Sequence, residues 1–368
     1  MFVNTVHLEG FRNYRQATVQ LSEGVNVIIG HNAHGKTNLL EAVYFLSSGR
    51  SFRSATEKDF IAFSGDGAYI RADIVSGGRG QTLEARFFQG RRRELRANGV
   101  KLSRLSDLTG KLATVFFGPD DLEMVKGGAA VRRKMMDQRL SQLRPAYAAA
   151  LSEFNRLYDH KTRILRDYHE KPSLLELLDD FDQRLAAQST RLIHYRSAFT
   201  QRLSRSAALI HSDFSGGTET LSIGYNTVGG IEAAEMTAEQ IFSELMKHQK
   251  AHRQAELRAG LCLSGAHKDD LEISINGVSA RRFASQGQAR TAAVSIKLAE
   301  RDIHFDEANE YPVLLLDDVL SELDARRQSF ILGRIAEGQV LITCCDESSV
   351  SNAAGAAILR VVDGAIVL

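Results

Sequence analysis

Gly30-His31-Asn32-Ala33-His34-Gly35-Lys36-Thr37 follows the apolar run Val25-Asn26-Val27-Ile28-Ile29 and leads into Asn38-Leu39-Leu40-Glu41-Ala42-Val43-Tyr44-Phe45-Leu46-Ser47. The octapeptide fits GxxxxGK[ST], and the flanks supply the strand before it and the helix after it that a phosphate-binding loop requires. The glycines let backbone N–H groups wrap an anion, and the start of the helix adds a partial positive charge. Lys36 is placed to reach β- and γ-phosphates and Thr37 to ligate Mg²⁺. Residues 30–37 together with Asn38 are therefore the expected nucleotide cradle. The competing reading is a glycine-containing turn before a helix; strand, loop, Lys-Thr pair and helix all in place argue against it. Leu39, Leu40, Val43 and Leu46 share one helical face.

Further along the chain, Val313-Leu314-Leu315-Leu316-Asp317-Asp318 is an apolar strand ending in two acids, a Walker B pattern. Asp317 is expected to hold Mg²⁺, directly or through water, and Asp318 to orient or deprotonate an attacking water. Lys36 and Asp317 lie 281 positions apart, so a large insertion separates the halves of the site. Ala284-Ser285-Gln286-Gly287-Gln288 opens a helix 32 positions before Asp317, counted from Ser285. It is similar to the LSGGQ signature of ABC ATPases, an element that contacts the γ-phosphate bound to the opposite subunit: Ser285 would offer a hydroxyl, Gly287 a close backbone approach, and the helix start, at Gln288, an attraction for anions. In isolation the pentapeptide reads as a Ser N-cap. Ser321-Glu322-Leu323-Asp324 follows Walker B as a D-loop does. Thr343 ends the next apolar strand, where either a γ-phosphate sensor or a capping Thr would stand.

Working outward, the 368 residues suggest two or three structural units. A hydrophobic share of 43% and a charged share of 25% exclude a disordered tail protein. Lys+Arg 46 against Asp+Glu 45 leaves a net charge of +1, which by itself gives no support for DNA binding, so any nucleic-acid surface must be a local patch, alone or completed by a second subunit. Cys262, Cys344 and Cys345 have no CxxC spacing, which argues against a disulfide framework or a zinc site and fits a reducing cytosol. The start, MFVNTVHLEGFRNY, lacks the layout of a signal peptide, and no run is long enough to span a membrane. The expected location is cytoplasmic, associated with the nucleoid.

Residues 1–30 alternate as β structure, and 68–117 are strand-rich between Gly-rich turns. Leu140, Leu143, Tyr147, Phe154, Leu157, Lys161 and Ile164 predict one long helix. After a break at Pro172, Leu174, Leu178, Phe181, Leu185, Gln188, Leu192, Tyr195 and Phe199 predict another, the two forming a hairpin. The hairpin reads either as part of a helical lobe or as a short protruding arm. Residues 215–232 hold one strand among loose turns, and 237–258 a helix. From 260 onward strands and helices alternate, which suggests a mostly parallel sheet. The expected fold class is α/β, an ABC-type P-loop ATPase head of mixed or parallel sheet with helices, plus a mainly helical second lobe. The expected division places 1–118 and 259–368 in a discontinuous ATPase core and 119–258 in the helical lobe.

Taken together these residues resemble the RecF family over nearly the whole chain. The resemblance rests on Leu8-Glu9-Gly10-Phe11-Arg12-Asn13-Tyr14, on Gly49-Arg50-Ser51-Phe52-Arg53 after the P-loop helix, and on Phe117-Gly118-Pro119-Asp120-Asp121-Leu122. It extends through Arg132-Arg133-Lys134-Met135-Met136-Asp137, Gly265-Ala266-His267-Lys268-Asp269-Asp270-Leu271, and the run Leu315 to Asp324. Three departures stand out. Ala33 replaces a usual Gly, at a cost of roughly 1–2 kcal/mol if that position needs φ > 0; Ala266 and Lys268 replace Pro and Arg; and Cys344-Cys345 follows Thr343. The family implies a DNA-dependent ATPase acting in DNA repair, recombination, replication and the SOS response. It also implies an ATP-dependent homodimer, with the signature working in trans and Asp324 and Thr343 near the nucleotide, that clamps double-stranded or gapped DNA and helps to load recombinase with RecR and RecO.

Candidates for DNA contact are Arg50, Arg53, Arg91, Arg92, Arg93, Arg96, Lys101 and Arg104, with a merely solvated charged hairpin as the alternative for 91–104. Two other classes offer alternative readings. A structural ATPase of the SMC or Rad50 kind would need coiled-coil arms of hundreds of residues. A transporter subunit would need a coupling surface for membrane partners and a shorter gap between Walker motifs.

Overall fold

The computed structural model describes residues 1–53, 56–62, 65–346 and 355–367, without the side chains of residues 106 and 322. In chain order its strands and helices are β1 (Phe2–Phe11), β2 (Tyr14–Gln20), β3 (Val25–Ile29), α1 (Lys36–Ser48), β4 (Gly67–Ser76), β5 (Arg79–Phe88), β6 (Arg91–Ala97), β7 (Val100–Lys101) and β8 (Thr114–Phe117). These are followed by α2 (Glu123–Lys126), α3 (Ala129–Leu143), α4 (Pro145–Asp167), α5 (Leu178–Ser215), β9 (Leu221–Asn226), α6 (Ala238–Ala259), β10 (Asp270–Ile275), β11 (Val278–Ser279), α7 (Ala280–Phe283) and α8 (Gln286–Ala308). The chain closes with β12 (Val313–Asp317), α9 (Ala325–Arg334), β13 (Val340–Cys344), β14 (Ala357–Val362) and β15 (Ala365–Val367).

The chain forms two compact units, Met1–Asp121 with Lys297–Leu368, and Leu122–Ile296. The first contains two six-stranded sheets. One is antiparallel, ordered β2-β1-β4-β5-β6-β7; the other is ordered β15-β14-β3-β13-β12-β8, parallel from β14 to β8 with β15 antiparallel at its edge. Helix α1 packs on strands of both sheets. It therefore buries Ala42, Tyr44 and Phe45 as well as the predicted face of Leu39, Leu40, Val43 and Leu46. Phe45 meets the rings of Phe60 and Phe87 edge-on at 5.3 and 5.0 Å; burying a ring of that size contributes roughly 1.5–3 kcal/mol.

The second unit is mainly helical, with a three-stranded antiparallel sheet ordered β11-β10-β9. Two expectations change here. The long helix expected over 140–164 is divided between α3 and α4: Arg144 adopts φ −135, ψ 99 because the residue before a proline avoids the helical region, and Pro145 then starts α4. The hairpin consists of α4 and the 38-residue α5, antiparallel as the pairs Lys161–Asp182 and Tyr147–Arg196 require. The boundary expected at 258/259 lies instead at Ile296/Lys297, inside α8. The reason is β10, which alternation had suggested for a parallel sheet. It pairs antiparallel with β9 along its whole length and so belongs with the helices.

Candidate nucleotide site

The loop between β3 and α1 is shaped by its glycines. Gly35, at φ 114, caps α1 in a conformation L side chains rarely adopt, and a Cβ there would press on the Asn13 amide at 2.8 Å. A Cβ on Gly30 would run into the Val361 carbonyl oxygen. Ala33 does take positive φ, 68°, so the strain expected of an alanine there is present. The N-terminal segment props the loop: Asn13 Nδ2 donates to the His34 carbonyl (2.9 Å), Tyr14 Oη to that of Gly35 (2.9 Å), and Asn38 Nδ2 to Asn13 Oδ1 (2.8 Å). From the C-terminal hairpin the Gly364 N–H also reaches the His34 carbonyl, at 2.9 Å. Lys36 is buried and folds back inside the loop, its Nζ donating to the carbonyls of Gly30 (2.6 Å) and His31 (3.2 Å). An ammonium curled into its own loop is a cation stored where phosphate oxygens would otherwise draw it. Asn32 Oδ1 accepts from the thiol of exposed Cys345 at 3.1 Å.

The parallel sheet brings Walker B to this loop. Strand β13 lies between β3 and β12, so Thr343 is paired with Ile28 on one side and with Asp317 on the other. Thr37 Oγ1 and Thr343 Oγ1 both donate to Asp317 Oδ1, at 2.9 and 2.8 Å, although 280 positions separate Thr37 from Asp317. Burial raises the Asp317 carboxyl above the usual carboxylate range; the two hydroxyls and Arg53 pull it down, and neighbouring Asp318 pushes it up. Thr343 also accepts from the Asp318 N–H at 2.9 Å, so its hydroxyl is committed to both aspartates. Asp318 is held at φ 51, and its Oδ1 is buried with no hydrogen-bond partner among the described residues. A lone acceptor oxygen held beside the loop is a suitable place to orient or deprotonate water. The donor set at Thr37 and Asp317 is all hard oxygen, the chemistry Mg²⁺ prefers. Those two residues would hold it, and the bound cation would neutralise phosphate charge.

The signature residues lie in the second unit at the start of α8. Ser285 and Gln288 form a reciprocal cap: Gln288 N–H donates to Ser285 Oγ (3.2 Å) and Ser285 N–H to Gln288 Oε1 (2.9 Å). Ser285 is exposed, Gly287 half-buried, and the preceding Phe283 protrudes at 69% exposure. Lys126 Nζ holds the Ala284 carbonyl. In the D-loop, Asp324 Oδ1 accepts from the Arg327 N–H at 2.9 Å and caps α9.

A family model described as the RecF/RecN/SMC N terminal domain matches residues 2–365. The DNA replication and repair protein RecF of Acetivibrio thermocellus is 35% identical over 352 residues, 96% of this chain and 95% of that protein. Its counterpart in Listeria innocua is 39% identical over 347 residues, 92% of this chain and 91% of that one. The chain belongs to the RecF family. A solved structure of the recombination mediator RecF with ATPrS, from the RecFOR pathway, matches 99% of this chain and 97% of its own, with a TM-score of 0.92 at 32% identity. The ATP-bound form of that mediator gives 0.91. The Smc head domain of Pyrococcus furiosus, at a TM-score of 0.56 and 16% identity, shares the fold. The chain thus has the ABC-type head architecture of RecF and SMC proteins.

Within this RecF-family chain the candidate DNA-contacting residues differ among themselves. Arg91 and Arg92 are exposed at the start of β6, and Arg50 and Arg104 are also exposed. Arg93 is paired with Glu57 and lies over the Phe45 ring, and Arg96 and Lys101 share Glu94 at 3.6 and 3.2 Å. Arg53 donates to Asn38 Oδ1 at 3.0 Å, beside the loop. The supports Asn13 and Tyr14 stand in Leu8–Tyr14, a stretch that carries the family resemblance but no nucleotide-binding motif to mark them as site residues. Two further blocks prove to be wiring. Arg132 clamps Asp270 (2.6 and 2.9 Å), while buried Arg196 reaches Asp137 and Asp269, each at 2.6 Å.

Proposed function

We propose that the protein is an ATP-driven switch of recombinational DNA repair. ATP held by the P-loop of one chain is closed over by Ser285, Gly287 and Gln288 of a second, giving a homodimer with two equivalent composite sites. The dimer clamps double-stranded or gapped DNA, and slow hydrolysis releases it. While closed it helps to load recombinase together with RecO and RecR. Lys36 swings from the loop carbonyls to the β- and γ-phosphates, Thr37 and Asp317 hold Mg²⁺, and Asp318 receives or directs the proton of the attacking water as the bond between the β–γ bridging oxygen and the γ-phosphorus breaks.

The observation that supports this reading most is the Thr37–Asp317–Thr343 cluster, built from three distant segments beside a loop whose lysine is folded inward. Family membership and the ATP-bound state of the matching mediator structure favour ATP as the nucleotide. The net charge of +1 gives a single chain a weak overall field, so the DNA surface in this reading is made of local patches doubled by dimerisation. The test is duplex binding with and without ATP at ~50 and ~200 mM salt, in the parent and in an Arg91→Glu, Arg92→Glu, Arg93→Glu variant. Binding should need ATP, fall steeply with salt and be lost in the variant. Affinity indifferent to nucleotide and salt contradicts the clamp; unchanged affinity in the variant removes this patch from it.

A further inference from the structure

The cap at the start of α8 depends on which way the Gln288 side-chain amide faces. Its Oε1 accepts from the Ser285 N–H at 2.9 Å, and its Nε2 donates to Glu219 Oε1 at 2.8 Å. An amide has one accepting and one donating end, whereas a carboxylate only accepts. Glu219 therefore admits only the orientation that leaves the oxygen for Ser285. Flipped, the amide would set N–H against N–H, and the reciprocal cap of Ser285 would open.

Glu219 is itself anchored. Its backbone N–H donates to Ser215 Oγ at 3.3 Å, where α5 ends at the left-handed Gly216. Its other oxygen, Oε2, stands 3.2 Å from Nε2 of the buried His211. His211 Nδ1 lies 3.3 Å from Ser295 Oγ on α8, and that hydroxyl donates to the Thr291 carbonyl at 2.8 Å. A chain of side chains thus runs from α8 through α5 and back to the first turn of α8.

We propose that Glu219 is a positioning residue for the signature: its carboxylate fixes the Gln288 amide, and this holds Ser285 ready for the nucleotide of a second copy of the chain. The inference rests on the reading of Ser285 as a signature residue. When the Ser285 hydroxyl leaves the Gln288 N–H for a phosphate oxygen, Glu219 still grips the Gln288 side chain, so the turn keeps its shape.

The test compares ATP-dependent dimerisation and hydrolysis of Glu219→Ala, Glu219→Gln and Ser285→Arg. Glu219→Ala should weaken dimerisation about tenfold per site, the value of one lost hydrogen bond to a charged group. Affinity of the monomer for a fluorescent ATP analogue should not change. Glu219→Gln should restore dimerisation, because its carbonyl can face Gln288 Nε2 and its amide can face His211. Mixing Glu219→Ala with Lys36→Met should recover hydrolysis, since one sound P-loop then faces one sound signature; a folding defect would not complement. Should Glu219→Ala fail to fold, Gln288→Glu takes its place: alone it sets carboxylate against carboxylate, and combined with Glu219→Gln it should regain the dimer. A Glu219→Ala chain that dimerises like the parent, or a Glu219→Gln chain as defective as the alanine one, overturns the positioning role. If Ser285→Arg also dimerises normally, the signature reading itself has failed.

Discussion

The two parts of the candidate ATP site differ in how complete they are within one chain. At the Walker residues the polar side chains are buried and engaged with one another: Lys36 is 4% exposed, Asp317 6% and Thr343 0%. At the signature, Ser285 is exposed and its hydroxyl is occupied by the N–H of its own helix. The first arrangement is a constellation of polar groups that distant segments of one chain assemble. The second is a helix start whose cap is locally satisfied, so nothing among the described residues requires Ser285 to be anything but a cap. The roles of the Walker residues can therefore be tested by nucleotide binding to a single chain, and that of the signature only by an assay of two.

The largest expected effect separates roles inside the complete half. Asp318→Asn should retain Mg-ATP while slowing turnover at least ~100-fold, because the amide keeps the shape and loses the basicity on which general-base assistance of ~10²–10⁴ depends. Asp317→Asn should bind Mg-ATP poorly, having lost a hard anionic ligand. Nucleotide titrations and single-turnover rates check both, and the converse pattern would reverse the assignment.

A smaller effect tests the strained corner of the loop. Ala33 sits at φ 68. Ala33→Val should cost about 1–2 kcal/mol or more, since branched side chains tolerate that region poorly. Ala33→Gly should shift stability by less than about 1 kcal/mol, because strain relief is offset by the greater freedom of glycine in the unfolded chain. Thermal unfolding of both variants decides; equal losses for glycine and valine would show that strain at position 33 is not the cause.

Much of the ATPase half was legible because its chemistry is local in sequence. Gly30–Thr37 and Val313–Asp318 each state strand, turn and ligand in a few residues, and α/β logic places both at the carboxyl end of one parallel sheet. What escaped was set by partners distant in the chain. The periodicity of 140–164 ran unbroken through Pro145, yet the backbone of Arg144 could not follow. Strand β10 looked like one more strand of a parallel alternation until β9, more than forty residues earlier, claimed it. The blocks at 132–137 and 265–271 were recognisable as strings without a reason; the reason is the buried pairing of Arg132 and Arg196 with Asp270, Asp137 and Asp269. Glu219 lay among loose turns, and only the fold sets it against Gln288.

In this reading the signature completes a nucleotide site on another chain. Sedimentation velocity of Ser285→Arg with ATP and Mg²⁺ measures it most directly. The expected result is a folded monomer that still takes up nucleotide, because the introduced guanidinium blocks the docking face while the P-loop is untouched. A helix cap alone predicts a mild loss of stability, about 1 kcal/mol, with dimerisation intact, and a stable dimer of Ser285→Arg would show that Ser285 does not close a second chain's site.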